Sequence, residues 1–343
     1  MPPRRTAHLA GCGGRLLARP EDFVVEETIP YALSGEGTHL FVRIEKTALT
    51  TPQAVGRLLP GIDRRRIGWA GLKDRHAIAR QWISIDDPRG ELTVADVDGV
   101  RVLETTRHKN KLKRGHVASN TFTIRLREVS AVANAAPIVD ALKATGLPNV
   151  FGPQRFGRDG DNAERALRIL RGEARAPRRR DEKSILMSAL QSELFNAYVT
   201  LRLERALFDV ALDGDVMKKH ETGGLFTVDD PTAEQPRVDA MQISPTGPLF
   251  GKKTMRAERA ARALEDEVLE ASGLDEAMLA RVGPGTRRLI RIPFDPDATV
   301  EAEDEATLRL RFTLPSGAYA TVVLDEVVKP DAGTFTREAP EPA

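Results

Sequence analysis

The chain holds one cysteine, Cys12, among 343 residues, which excludes an internal disulfide and any cysteine-rich metal centre. A lone thiol also fits a reducing, cytoplasmic compartment. No run of about eighteen apolar residues occurs, so no segment reads as membrane-spanning. The N-terminal Met1-Pro2-Pro3-Arg4-Arg5 carries cations but lacks the apolar stretch of a secretion signal. Neither sign of charge dominates. With a net charge of +1 and a pI near 7.9, the chain can meet a polyanion only through local patches. The six histidines show no metal-ligand spacing, and no Ser-His-Asp signature or internal repeat is present. No metal is predicted.

What is present is globular. A chain that is 41% hydrophobic and 29% charged can build a sizeable core, and its length suggests about two domains. In segment 38–45, Leu40, Val42 and Ile44 alternate with Arg43 and Glu45, the period of a half-buried strand. Segment 120–127 repeats the device with Phe122, Ile124 and Leu126. Near the C-terminus, Leu308, Leu310, Phe312 and Leu314 alternate with polar neighbours. A turn at Pro315-Ser316-Gly317 then predicts a further strand over 319–324. One polar face per strand implies a mostly antiparallel sheet.

The middle of the chain follows a helical period. Ala163, Ala166, Leu167 and Leu170 form one stripe behind Asp161, and Gly172 ends it. Leu186, Leu190, Leu194, Ala197 and Leu201 mark a second helix, and 254–272 reads as a third, ending at Gly273. Strand character on both sides of a helical block suggests an insertion. The expected fold is therefore α+β. It comprises a discontinuous sheet domain over 1–146 and 294–335, a helix-rich inserted domain over 147–293, and a disordered tail over 336–343.

Three segments carry chemistry. Gly71-Leu72-Lys73-Asp74-Arg75-His76-Ala77 is a glycine turn that presents one carboxylate among cations. Such an aspartate can point into an anionic ligand held by its basic neighbours, as a nucleophile acting on RNA must. The acid-free run from Arg107 to His116 holds Lys109, Lys111, Lys113 and Arg114, a phosphate footprint, against the alternative of a solvated loop. It leads into Asn120-Thr121-Phe122, an amide and a ring suited to an unpaired base, although Phe122 itself reads as core. The clusters 64–66 and 178–180 extend the footprint or are plain surface. The segment 20–27 sets Phe23 before a short apolar strand, with its carboxylates read as cap or turn residues. Two glycine-rich segments mislead: 247–254 departs from phosphate-loop spacing, and 11–14 lacks the companions of a dinucleotide site.

In order along the chain, segments 20–26, 37–46, 71–84, 107–127, 149–157, 188–196, 247–251 and 314–326 resemble the TruD family of tRNA pseudouridine synthases. The resemblance covers nearly the whole chain. It implies a pseudouridine-synthase catalytic domain carrying an inserted domain, and isomerisation of a tRNA uridine, typically at position 13, without cofactor or metal. The implied partner is tRNA, with no membrane and no obligate protein partner. The family's nucleophile falls on Asp74 and its target-base residues on Phe23, Asn120 and Tyr319. This chain departs from the family at Tyr319, where many bacterial members carry phenylalanine. It departs again at Leu17, where members often carry a lysine; Arg15 or Arg19 would then supply the cation that pairs with Asp74. The competing readings are a non-catalytic RNA-binding or RNA-folding protein, and a pseudouridine synthase acting on another RNA.

Overall fold

Alternation on β-branched and aromatic residues builds the first half of the chain into strands. In this computed structural model, which describes residues 2–16, 19–157 and 159–330, β1 spans Phe23–Thr28 and β2 His39–Lys46. Helix α1 (Thr51–Leu58) follows, then β3 (Ile67–Trp69), β4 (Ile78–Asp86), β5 (Val100–His108), β6 (Ser119–Leu126) and α2 (Ala135–Thr145). The middle runs β7 (Leu147–Pro148), α3 (Asn162–Leu170), α4 (Arg180–Glu204), β8 (Val216–Lys219), β9 (Leu225–Thr227) and α5 (Pro231–Asp239). It continues with β10 (Ile243–Leu249), α6 (Arg259–Ser272), α7 (Glu276–Val282), β11 (Thr286–Leu289) and β12 (Arg291–Ile292). Strands β13 (Thr299–Ala302) and β14 (Leu308–Pro315) and helix α8 (Ala320–Val328) complete the chain. Leu17 and the 336–343 tail lie outside the described residues.

Contacts divide the chain into two units: residues 11–139 with 295–320, and residues 2–10, 140–294 and 321–330. The first is organised on an eight-stranded sheet in the order β13-β14-β6-β1-β4-β2-β5, with β3 also paired to β4. Every pairing is antiparallel except that of β1 with β4. Helix α1 starts in a capping box between Thr50 and Gln53. It lays Ala54, Val55 and Leu58 on Val42, Ile44, Ile83 and Ile85 of the sheet. Cys12 is buried, and burial pushes its thiol up to about 11.

The second unit holds the helices expected around 162–170 and 186–201, together with a four-stranded sheet, β11-β10-β8-β9, that hydrophobic pattern did not announce. Strand β10 reads Ile-Ser-Pro-Thr-Gly-Pro-Leu, and two prolines and a glycine hide a strand from any propensity reading. Its Gly247 lies directly against α4, where a Cβ would stand 2.9 Å from the rings of Phe195 and Tyr198. The glycine that invites comparison with a phosphate loop is therefore a packing residue. Phe151, in the aromatic turn after β7, meets Phe195 edge-on at 5.6 Å, and the Asn196 side chain bonds both its N–H and its C=O at 2.9 Å.

Two expectations need correction. The segment after β14 is helix α8, not a strand. Its valines favour a strand locally, yet Ala320, Val323, Leu324 and Val327 are buried at helical spacing. Asp325 also pairs with Arg4, and Glu326 accepts the Thr6 N–H at 2.9 Å. The helix expected over 254–272 begins only at Arg259, because the N–H groups of Thr254 and Glu258 are bonded to Gly251 and Gly214.

Candidate active site

The chemistry-bearing loop rests on a row of buried polar side chains that interrupts an apolar sheet face. Register places Glu27 opposite Asn120, and Asn120 opposite Leu314. On the other side of β1, Glu27 lies one step beyond the Glu26–Arg80 pair, level with Gln81 of β4. Gln81, Glu27 and Asn120 thus form one line across three neighbouring strands, and the first two are buried. The adjacent row is Lys46, Ala79, Val25, Phe122 and Phe312, with Lys46 fully buried. Phe23 and Ile124 form the row beyond that.

Each polar group on this face holds part of the loop. Gln81 donates to the Gly71 C=O at 3.4 Å and accepts from the Thr51 hydroxyl at 2.9 Å. The same hydroxyl accepts the Lys73 N–H at 3.0 Å. Lys73 Nζ stands 2.7 Å from Glu27 Oε2 and donates to Asn120 Oδ1 at 2.6 Å. Lys46 Nζ donates to the Asp74 C=O at 2.5 Å. At Gly71 a Cβ would lie 2.9 Å from Glu27 Oε2, so a side chain there would push that carboxylate aside. The loop backbone is thereby tied at three successive points while the Asp74 side chain stays exposed.

Burial drives the Glu27 carboxyl above its usual range, and the Lys73 ammonium opposes that shift. Neither Glu27 oxygen receives a well-directed hydrogen bond among the described residues, so the pair is held by charge and confinement. Glu27 is therefore a core strand residue rather than a turn acid. Asp22 is buried too, bonded by Arg127 at 2.8 Å.

The other sequence-predicted residues sort as follows. Phe23 is 8% exposed and meets Phe122 edge-on, with ring centres 5.9 Å apart. Tyr319 is half-buried and follows the turn after β14, which Ser316 pins by an N–H bond to Ala118 at 3.1 Å. Arg15 pairs with Glu128 at 3.2 Å, and Arg19 is exposed. No ion pair to the Asp74 carboxylate forms among the described residues.

The basic loop is a built feature. Leu112 is 1% exposed, packed with Phe41, Ala70 and Trp82, and its N–H bonds the Ser84 hydroxyl. Gly115 bonds the C=O of Ala70, the residue before Gly71, so this loop adjoins the Asp74 loop. Lys109 pairs with Glu36 at 2.8 Å, and Lys111 bonds the Arg65 C=O. Lys113 and Arg114 are exposed and, among the described residues, their side chains make no ion pair or hydrogen bond.

The sequence matches the family described as tRNA pseudouridine synthase D (TruD) over residues 4–177 and 178–327. The chain belongs to the TruD family. Named relatives agree along the full length. The tRNA pseudouridine synthase D of Anaeromyxobacter dehalogenans (strain 2CP-C) is 44% identical over 341 residues, covering 96% of this chain and 97% of that one. That of Thermus thermophilus is 41% identical over 345 residues, covering 99% and 96%. A candidate TruD from Methanosarcina mazei, known from a crystal structure, superposes with a TM-score of 0.73 over 94% of this chain and 95% of that one. At 22% identity that likeness is one of fold. Lys46, Gln81 and Thr51 are supporting residues that the sequence did not single out, and Lys73 and Glu27 stood there only as a neighbouring cation and a turn acid.

Proposed function

We propose that this chain converts the uridine at position 13 of tRNA to pseudouridine, with Asp74 as nucleophile and Phe23, Asn120 and Tyr319 around the target base. As a TruD member it is an isomerase that turns a tRNA uridine into pseudouridine. The observation that carries the site assignment is an exposed carboxylate on a loop whose backbone is fixed at Gly71, Lys73 and Asp74.

The reaction breaks the C1′–N1 bond and forms C1′–C5; C5 loses a proton and N1 takes one up, so the balance is that of an isomerisation. A carboxylate drives this by adding to C6 of the ring or by assisting departure at C1′. Rigid attachment of the loop keeps the nucleophile in place without reorganisation. The target must leave its stack at a cost of a few kcal/mol, which base–aromatic contacts of about 1–3 kcal/mol each offset. Phe23 is buried and Tyr319 half-buried, so Tyr319 is the residue with more surface to offer a base. Among the described residues Asp74 has Lys46 bonded to its backbone carbonyl and no ion pair to its carboxylate.

The position is tested by incubating an unmodified tRNA transcript bearing uridine 13 with the protein and mapping pseudouridine along it. Product at position 13 alone is expected. Product elsewhere with position 13 untouched would move the substrate to another site or RNA. Lys113→Ala combined with Arg114→Ala should weaken binding of all tRNAs alike and reduce the slope of log Kd against log salt by about one to two. An unchanged slope would return the loop to plain surface.

A further inference from the structure

An asparagine amide offers a donor at one end and an acceptor at the other, and a half-turn exchanges them. A free Asn120 could therefore read either a carbonyl or the N3–H of a uracil. Here it cannot turn. Lys73 Nζ carries three donors and no acceptor, so the atom it meets at 2.6 Å must be Oδ1. Turning the amide would set its NH2 group against an ammonium and forfeit a charge-assisted bond.

The lock is itself held. The Lys73 side chain is 8% exposed, its N–H is tied to Thr51, and its ammonium faces a Glu27 side chain that is wholly buried. Without Glu27 the confined ammonium would be an unpaired charge. The missing side chain at Gly71 leaves the room in which the pair meets.

We propose that Lys73, backed by Glu27, is a positioning residue that fixes Asn120 as a hydrogen-bond donor toward the target base, so that the site selects a ring carbonyl at the edge Asn120 faces. This rests on the reading that Asn120 touches the base. Uracil offers such carbonyls at C2 and C4, flanking N3–H. If the carbonyl read is the one at C4, cytosine presents an amino group there and sets donor against donor.

The test compares tRNAs carrying uridine, 4-thiouridine or 2-thiouridine at the target, since sulfur accepts hydrogen bonds poorly. Single-turnover rates are taken for the wild type, Lys73→Met and Asn120→Ala. Each thio penalty is a ratio within one enzyme, so a general loss of activity cancels. The wild type should lose about tenfold with one of the two thio bases, the size of one hydrogen bond. In both variants that penalty should shrink below about threefold. Because Lys73 adjoins Asp74, the same ratios are also taken as Kd values in an Asp74→Asn background, where turnover is not needed. A penalty that vanishes in Asn120→Ala but persists in Lys73→Met would overturn the positioning role alone. One that persists in Asn120→Ala, or is absent from the wild type, would remove Asn120 as a base reader and the proposal with it.

Discussion

Replacing Asp74 with asparagine will remove pseudouridine formation and leave tRNA binding within about threefold of the wild type. The substitution keeps the shape of the side chain and deletes only the charge and the nucleophilic oxygen. Nothing that anchors the loop is touched: Lys46 bonds the carbonyl of residue 74, Thr51 bonds the N–H of residue 73, and Gln81 bonds the carbonyl of residue 71. Loss of a nucleophile or of the groups that serve it costs about 10⁴- to 10⁶-fold in a serine protease, enough to take product below detection. Nucleoside mass spectrometry of a treated transcript, beside a filter-binding titration, reads both quantities. Full activity in Asp74→Asn would sink the assignment of the nucleophile. Lost binding with a folded protein would mean that the carboxylate serves the loop and not the reaction.

The second large effect lies far along the chain and concerns stability. Arg202 of α4 is fully buried and spends every nitrogen. Its Nε donates to the Leu207 C=O at 3.0 Å and its Nη1 to Asp215 at 2.7 Å and the Tyr198 hydroxyl at 3.0 Å. Its Nη2 donates to the Val210 C=O at 2.8 Å and to Asp215 at 3.0 Å. Asp215 also accepts the Leu212 N–H at 3.0 Å. Burial, the largest single influence, would push the guanidinium down, but Asp215 and Tyr198 together outweigh it and the net shift is upward. Asp215→Ala strands that charge in the core and should cost about 3–5 kcal/mol, a large share of the roughly 5–15 kcal/mol of a typical domain. In thermal unfolding the transition should fall by about 6–20 °C. Arg202→Met with Asp215→Leu should recover part of the loss, because the stranded charge is gone while the Leu207 and Val210 carbonyls and the Leu212 N–H lose their partners. A shift of under about 2 °C in Asp215→Ala would show that the guanidinium finds water.

Much of this could be read from residue order, and the failures have separate causes. The inner faces of β2, β6 and β14 follow from alternation alone, because one half-buried face forces period two. The Asp74 loop stood out as a glycine turn crowded with charge. Its support did not, although a signal was present. Glu27 continues the Phe23–Val25 face, and Lys46 continues the Leu40–Val42–Ile44 face. A charged residue at a position whose period marks it as core needs a buried partner, and such positions point to a site. The α8 segment failed differently. Its valines were weighed before their spacing, and the carboxylates that tie the helix to residues 4–6 are a long-range fact. Strand β10 offered no local signal, since neighbours on both sides, not propensity, make Pro-Thr-Gly-Pro extended.

The pairing of β14 with β6 has a consequence for how the molecule is made. Thr121 and Thr313 share a hydrogen bond at 3.0 Å across 192 residues of sequence. On a ribosome adding about 5–20 residues per second, β6 waits as an open edge for on the order of 10–40 seconds before its partner exists. Its outward residues over that time are Thr121, Thr123 and Arg125, a polar face with a cation, which discourages pairing with a neighbouring nascent chain. Tyr319 arrives later still. A ribosome stalled anywhere in residues 140–294 therefore carries the proposed nucleophile and its anchors without the ring proposed to receive the base, and activity becomes a property of the finished polypeptide.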